Sequence, residues 1–219
     1  MKPIQDYRAV IWDMDGTLLN TLGDIAGALN DTLIQWNLPT HSEKKVLEFI
    51  GHGAKYLCQC ASGLQGEDLD RFHREYRQNS LSRNDPQTHP YPGIAEILND
   101  LHNNDIKIGI YTNKPKEWCT KLAIRFFGAH AFDLIEGTDA RNILKPDPTP
   151  ILDMCKTWHI DPSQAVMIGD SDVDWKTAQN AGCIGICVSY GFRSRQCLVD
   201  AGATCIADSV SECRQRLGL

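Results

Sequence analysis

The sequence has no run approaching the roughly 18 apolar residues that a membrane-spanning helix requires. It also has no basic field. Its 22 lysines and arginines are outnumbered by 28 aspartates and glutamates, a net charge of -6 over 219 residues. Nucleic-acid backbones attract clustered cations, so that class of partner is disfavoured. No C-x-x-C pair occurs among the nine cysteines, and an odd number cannot all pair within one chain. Reduced, packing cysteines suit this pattern better than a zinc site or a disulfide framework. Internal repeats and low-complexity tracts are missing as well. Met1 to Tyr7 is polar and charged where a secretion signal needs apolar residues, so a cytoplasmic protein, monomer or homodimer, is expected. The remaining composition, 42% hydrophobic and 23% charged, excludes disorder and coiled coils and leaves a globular chain.

Two textures divide that chain. Apolar, strand-like runs cover Ala9 to Met14, Ile106 to Tyr111, Ala165 to Ile168, Cys183 to Val188 and Thr204 to Ala207, with Phe132 to Ile135 as one more. Helical spacing fills the gaps between them at Gly93 to Asn103, Pro115 to Phe127, Pro148 to Trp158 and Asp172 to Ala181. This alternation predicts an α/β fold, a Rossmann-like parallel sheet core flanked by helices. Thr21 to Asp85 reads helical throughout and predicts an all-helical cap inserted after the first strand. The expected boundaries are 1–19 and 89–219 for the core and 20–88 for the cap.

Ligands of an open parallel sheet bind beyond the carboxyl ends of its strands. Four segments follow the apolar runs there: Asp13-Met14-Asp15-Gly16-Thr17, Thr112-Asn113-Lys114, Lys145-Pro146 and Gly169-Asp170-Ser171 with Asp174. Asp13 and Asp15 are two apart, so an extended backbone sends both carboxylates to one side. Such a pair repels unless a cation lies between them or one is protonated. With Asp170 arriving from a third strand, a hard, oxygen-ligating ion such as Mg2+ is the natural partner. Each element has a plainer reading too. Asp-Gly is a common turn, Lys145 suits a solvated surface, Thr112 suits a helix cap, and Gly51-His52-Gly53 suits a helix-breaking loop. Asp172 reads as the cap of the helix that follows it. The histidines other than His52 read as surface residues.

Taken together and in this order, the four segments resemble the haloacid dehalogenase-like hydrolase superfamily. Tyr91-Pro92-Gly93, Thr112-Asn113-Lys114-Pro115, Lys145-Pro146-Asp147-Pro148, Ile50-Gly51-His52-Gly53-Ala54 and Ser189-Tyr190-Gly191-Phe192 look like its phosphoglycolate phosphatase branch. Trp12 stands where phenylalanine is more usual in that family, and Asn20 where an aspartate is common. The resemblance implies a Mg2+-dependent phosphatase that hydrolyses a small phosphorylated metabolite. Asp13 would be the nucleophile and Asp15 the general acid and base. Lys145 would neutralise charge, while Thr112 and the Asn113 amide would bind the phosphoryl group. The metal would be held by Asp13, the Asp15 main chain and Asp170, with Asp174 steadying it. Gly51 and His52 of the cap would touch substrate, and the cap would close over it. A sugar-phosphate mutase, a nucleotidase, a pyrophosphatase and a phosphate-binding protein without catalysis remain alternatives on the same core.

Overall fold

The computed structural model describes residues 4–83, 86–138 and 143–219. Met1 to Pro3, in the polar leader, and Asp85, at the end of the helical stretch, lie outside them. The elements run β1 (Ala9–Trp12), β2 (Leu19–Asn20), α1 (Leu22–Gln35), α2 (Glu43–Val46), α3 (Ala54–Ser62), α4 (Gly66–Ser82) and β3 (His89–Pro90). They continue with α5 (Ile94–Asn103), β4 (Lys107–Pro115), α6 (Lys116–Phe127), β5 (Leu134–Thr138), α7 (Thr149–Trp158) and β6 (Ala165–Gly169). The last are α8 (Asp172–Ala181), β7 (Ile184–Val188), α9 (Arg195–Asp200), β8 (Ile206–Ala207) and α10 (Val210–Leu217). The chain divides into two compact units, Met1–Leu19 with Pro90–Leu219, and Asn20–His89.

The larger unit is α/β. Six strands pair in the order β5-β4-β1-β6-β7-β8, with parallel pairings throughout. Strand residues alternate between two apolar layers, as a two-residue period requires. Val10, Trp12, Ile108, Ile110, Val166 and Ile168 face helices α5, α6 and α10 through Ile97, Leu101, Cys119, Leu122 and Cys213. Ala9, Ile11, Tyr111 and Met167 face α7 and α8 through Ile151, Met154 and Ala178. Both faces are therefore covered, which explains why the strands read as continuous apolar runs. From β1 the chain steps to β4 and β5 on one side, then returns to β6, β7 and β8 on the other. The reversal falls at β1, the usual ligand position of such sheets.

Several limits differ from the sequence reading. β4 does not stop at Tyr111 but runs on through Thr112, Asn113 and Lys114, with a register irregularity between Tyr111 and Pro115. The strand near Phe132 begins later, at Leu134. Terminal residues carry weak periodic signals, so boundaries shift while the elements persist.

The smaller unit, Asn20–His89, contains α1 to α4. Leu29, Leu33, Val46, Leu57, Leu69, Phe72 and Tyr76 are among its buried apolar residues. The Trp36 and Phe72 rings meet edge to face at 5.5 Å, and the Arg71 guanidinium lies 4.3 Å from the Trp36 ring. Asp24 is buried and accepts from the Gln87 N–H at 3.0 Å and the Thr88 hydroxyl at 2.7 Å, with Arg83 4.0 Å away. His41 corrects the expectation of a surface histidine. It is half-buried, its N–H donates to Asn30 Oδ1 at 2.9 Å, and its Nε2 lies 2.8 Å from the Ala61 carbonyl oxygen.

Candidate active site

The register of the sheet sets the site. Trp12 pairs with Ile110 on one side and Ile168 on the other, so Asp13 leaves β1 level with Tyr111 of β4 and Gly169 of β6. The Asp13 N–H still donates to the Ile168 carbonyl at 2.8 Å, which fixes Asp13 at the last rung. The chain then turns sharply. The Met14 carbonyl accepts from the N–H groups of Leu18 and Leu19, and Gly16 sits at φ +83°, a region that only glycine enters at little cost. A side chain at Gly16 would also collide with the Asp170 carboxylate.

Three carboxylates gather at this end. Asp13, Asp170 and Asp174 each present an oxygen within 4.8 Å of the others, and all three are buried. Lys145 reaches between them, with its Nζ 2.5 Å from Asp174 Oδ1 and 2.8 Å from Asp13 Oδ1. The contact with Asp174 is a well-aligned hydrogen bond. The contact with Asp13 is an ion pair of poorer angle, which leaves buried Asp13 Oδ1 without an aligned donor. Burial pushes the Asp13 carboxyl up to about 6 against the pull of Lys145, and Asp174 adds to the rise. Burial also drives Asp170 well above the usual carboxylate range, helped by Asp174 and Asp13. For Lys145, burial opposes the ammonium, but Asp13 and Asp174 outweigh it and hold the pKa above the ordinary lysine value.

The donors are all oxygens on acids that crowd one another, a set that suits a hard divalent cation. They are not equivalent. Asp174 has both oxygens engaged, Oδ1 by Lys145 and Oδ2 by the Ser171 N–H at 3.0 Å and hydroxyl at 2.5 Å. Asp170 gives Oδ2 to the Phe192 N–H at 2.5 Å. Asp13 and Asp170 are thus the better-placed ligands, beside Asp174, whose two oxygens are already engaged.

Ser171, not Asp172, caps α8. Its hydroxyl accepts from the Asp174 N–H while Asp174 answers in a capping box. Asp172 is exposed. A serine cap leaves the hydroxyl hydrogen free to reach Asp174, which an aspartate at that position cannot offer.

Thr112 and Asn113 are buried near the end of β4, the strand that pairs with β1. Asn113 Oδ1 accepts from the Lys145 N–H at 2.7 Å, and its Nδ2 donates to the Lys145 carbonyl at 3.4 Å. The carboxamide therefore holds the Lys145 backbone, next to a cis Lys145-Pro146 bond. Thr112 Oγ1 accepts only weakly from the Lys114 N–H, at 3.3 Å, and does not cap α6. Gly51 and His52 lie in the helical unit, where the exposed His52 ring meets the Tyr56 ring edge to face at 5.0 Å.

Three participants carried no individual role in the sequence. Lys114 pairs with Asp15 at 2.9 and 3.2 Å. The Tyr190 hydroxyl donates to the Thr17 carbonyl at 3.1 Å, and the Phe192 N–H holds Asp170. Gly191 between them lets the chain pass so close that a Cβ would meet the Gly16 carbonyl and Asp170. Ser189 to Phe192 follow β7 at the carboxyl edge, so position after a strand was the available signal.

This constellation matches a known pattern. A family model for haloacid dehalogenase-like hydrolases matches residues 10–188. The chain belongs to that hydrolase family. It is 30% identical over 216 residues to the phosphoglycolate phosphatase of Vibrio parahaemolyticus, covering 95% of each chain. It is 31% identical over 201 residues to that of Psychrobacter arcticus, covering 87% of each. A Lactobacillus delbrueckii subsp. bulgaricus crystal structure, described as a candidate phosphoglycolate phosphatase, superposes with a TM-score of 0.91 at 26% identity, covering 97% of this chain and 99% of that one. The family member thus falls on the phosphoglycolate phosphatase-like branch. Among the described residues, no helix is long and apolar enough to cross a membrane.

Proposed function

We propose that this hydrolase is a Mg2+-dependent phosphatase acting on 2-phosphoglycolate or a close, small phosphomonoester. The carrying observation is Asp13 Oδ1, buried, without an aligned donor, and flanked by Lys145 and two further acids. A bound Mg2+ would be held by Asp13, the Asp15 main-chain carbonyl and Asp170, with Asp174 orienting them, and would draw charge from the phosphoryl oxygens.

The chain's own residues account for the rest. Asp13 attacks phosphorus, the bond from phosphorus to the leaving oxygen breaks, and Asp15 supplies the proton that this oxygen takes up. The aspartyl-phosphate on Asp13 is then hydrolysed by a water that attacks phosphorus and passes its proton to Asp15. Asp13 is regenerated and phosphate leaves. Lys145 keeps its ammonium between Asp13 and Asp174, so positive charge stands beside the negative charge of the equatorial oxygens. Thr112 Oγ1 and the main-chain amide of Asn113 are assigned to the phosphoryl oxygens. The Asn113 carboxamide instead fixes the Lys145 loop. Gly51 and His52 are assigned to the leaving group, and His52→Ala should raise KM.

The test is phosphate release with Mg2+ from 2-phosphoglycolate, hexose and triose phosphates, nucleoside monophosphates and pyrophosphate. Release led by 2-phosphoglycolate and lost in Asp13→Asn is expected. Phosphate binding without release from any ester overturns the reading.

A further inference from the structure

The Lys145 ammonium is committed to Asp13 and Asp174. A second lysine serves a different acid. Lys114 Nζ bridges both oxygens of Asp15, 2.9 Å from Oδ1 and 3.2 Å from Oδ2. Its side chain is only 9% exposed and that of Asp15 16%, so this is no ordinary surface pair. The irregular end of β4 sends Lys114 there, and its ammonium also lies 5.9 Å from the centre of the Trp118 ring. An ammonium held by both a carboxylate and an indole face has a fixed place beside the acid that handles the leaving oxygen.

That place has a consequence for substrate choice, resting on the phosphatase reading above. For proton transfer the leaving oxygen must come within about 3 Å of an Asp15 carboxylate oxygen. Lys114 Nζ is then within about two hydrogen-bond lengths of that oxygen. A leaving alcohol with a carboxylate on its next carbon brings an anion into reach of this cation. A neutral alcohol of the same size brings nothing to pair with it. We infer that Lys114 is the specificity-determining cation of the site: it positions Asp15 and pairs with the negative charge of an acidic leaving group, so that small phosphomonoesters of hydroxy acids are preferred over neutral ones.

The test compares 2-phosphoglycolate with ethyl phosphate, in which a methyl group stands in place of the carboxylate, in the Mg2+-loaded protein. Wild type should prefer the acidic ester in kcat/KM. Lys114→Met should reduce that preference about 10–100-fold, the range set by losing one charge-assisted hydrogen bond. Loss of Asp15 positioning lowers kcat for both esters, whereas loss of the cation raises KM for 2-phosphoglycolate alone. Lys114→Arg should restore most of the preference. Should Lys114→Met fail to fold, Lys114→Gln, which keeps hydrogen-bond donors but no charge, should show the same collapse. An equal fall for both esters, or an unchanged ratio, overturns the assignment. Wild type that turns over both esters equally overturns it while leaving the phosphatase intact. Wild type that turns over neither but hydrolyses another ester of the panel above overturns it alone, and release from none overturns both.

Discussion

Replacing Lys145 with methionine removes the cation that pairs with two of the three buried carboxylates while nearly preserving side-chain volume, so packing loss contributes little. Two acids lose their partner at once. Removing one member of a buried ion pair typically costs about 3–5 kcal/mol, because the remaining charge stays desolvated. At this chain length that corresponds to a fall in Tm of about 6–20 °C. Thermal unfolding followed by circular dichroism in EDTA reads the effect without metal. Adding Asp174→Asn to the methionine variant should cost less than Asp174→Asn alone, since the second change removes a charge already stranded. Mg2+ should raise the Tm of the methionine variant more than that of wild type, because cation binding to the folded state replaces the lost charge. A methionine variant melting within a degree or two of wild type, or strict additivity with Asp174→Asn, refutes this account of the site's electrostatics.

Gly191→Ala places a methyl against the Gly16 carbonyl and Asp170, and should lower Mg2+ affinity about 10–100-fold as measured by titration calorimetry. Ser171→Ala removes both the α8 cap and a hydrogen bond to Asp174, and should cost about 1–2 kcal/mol in urea unfolding. In the helical unit, Asp24→Ala strands the Gln87 N–H and the Thr88 hydroxyl. It should cost about 2–4 kcal/mol in the same assay and speed proteolysis within residues 20–89.

Much of this molecule is readable from apolar rhythm. The runs at Ala9, Ile106 and Ala165 are buried on both faces, and a strand buried on both faces must be apolar throughout, so its position shows without any structure. Asp13, Asp15 and Asp170 show because each follows such a run, and Lys145 because it opens the proline-rich Lys145-Pro146-Asp147-Pro148 segment. What escaped is local geometry that several sequences serve equally. Ser171 and Asp172 are both good helix caps by type, and only the reach of the Ser171 hydroxyl to Asp174 separates them. The hold of the Asn113 carboxamide on the Lys145 peptide, 32 residues away in sequence, shows only once the two segments are brought together. Lys114 escaped because its meaning depends on the irregular exit of β4, which periodicity does not encode. His41 escaped for a related reason, since its partners Asn30 and Ala61 come from separate helices.

The central claim is that Asp13 carries the phosphoryl group. Mixing the Mg2+-loaded protein with radiophosphate-labelled 2-phosphoglycolate, quenching in acid within milliseconds and digesting the chain tests it directly. Hydroxylamine-labile label is expected on the peptide containing Asp13, and none in Asp13→Asn. Phosphate release with no such label at any quench time, or label on another residue, contradicts it.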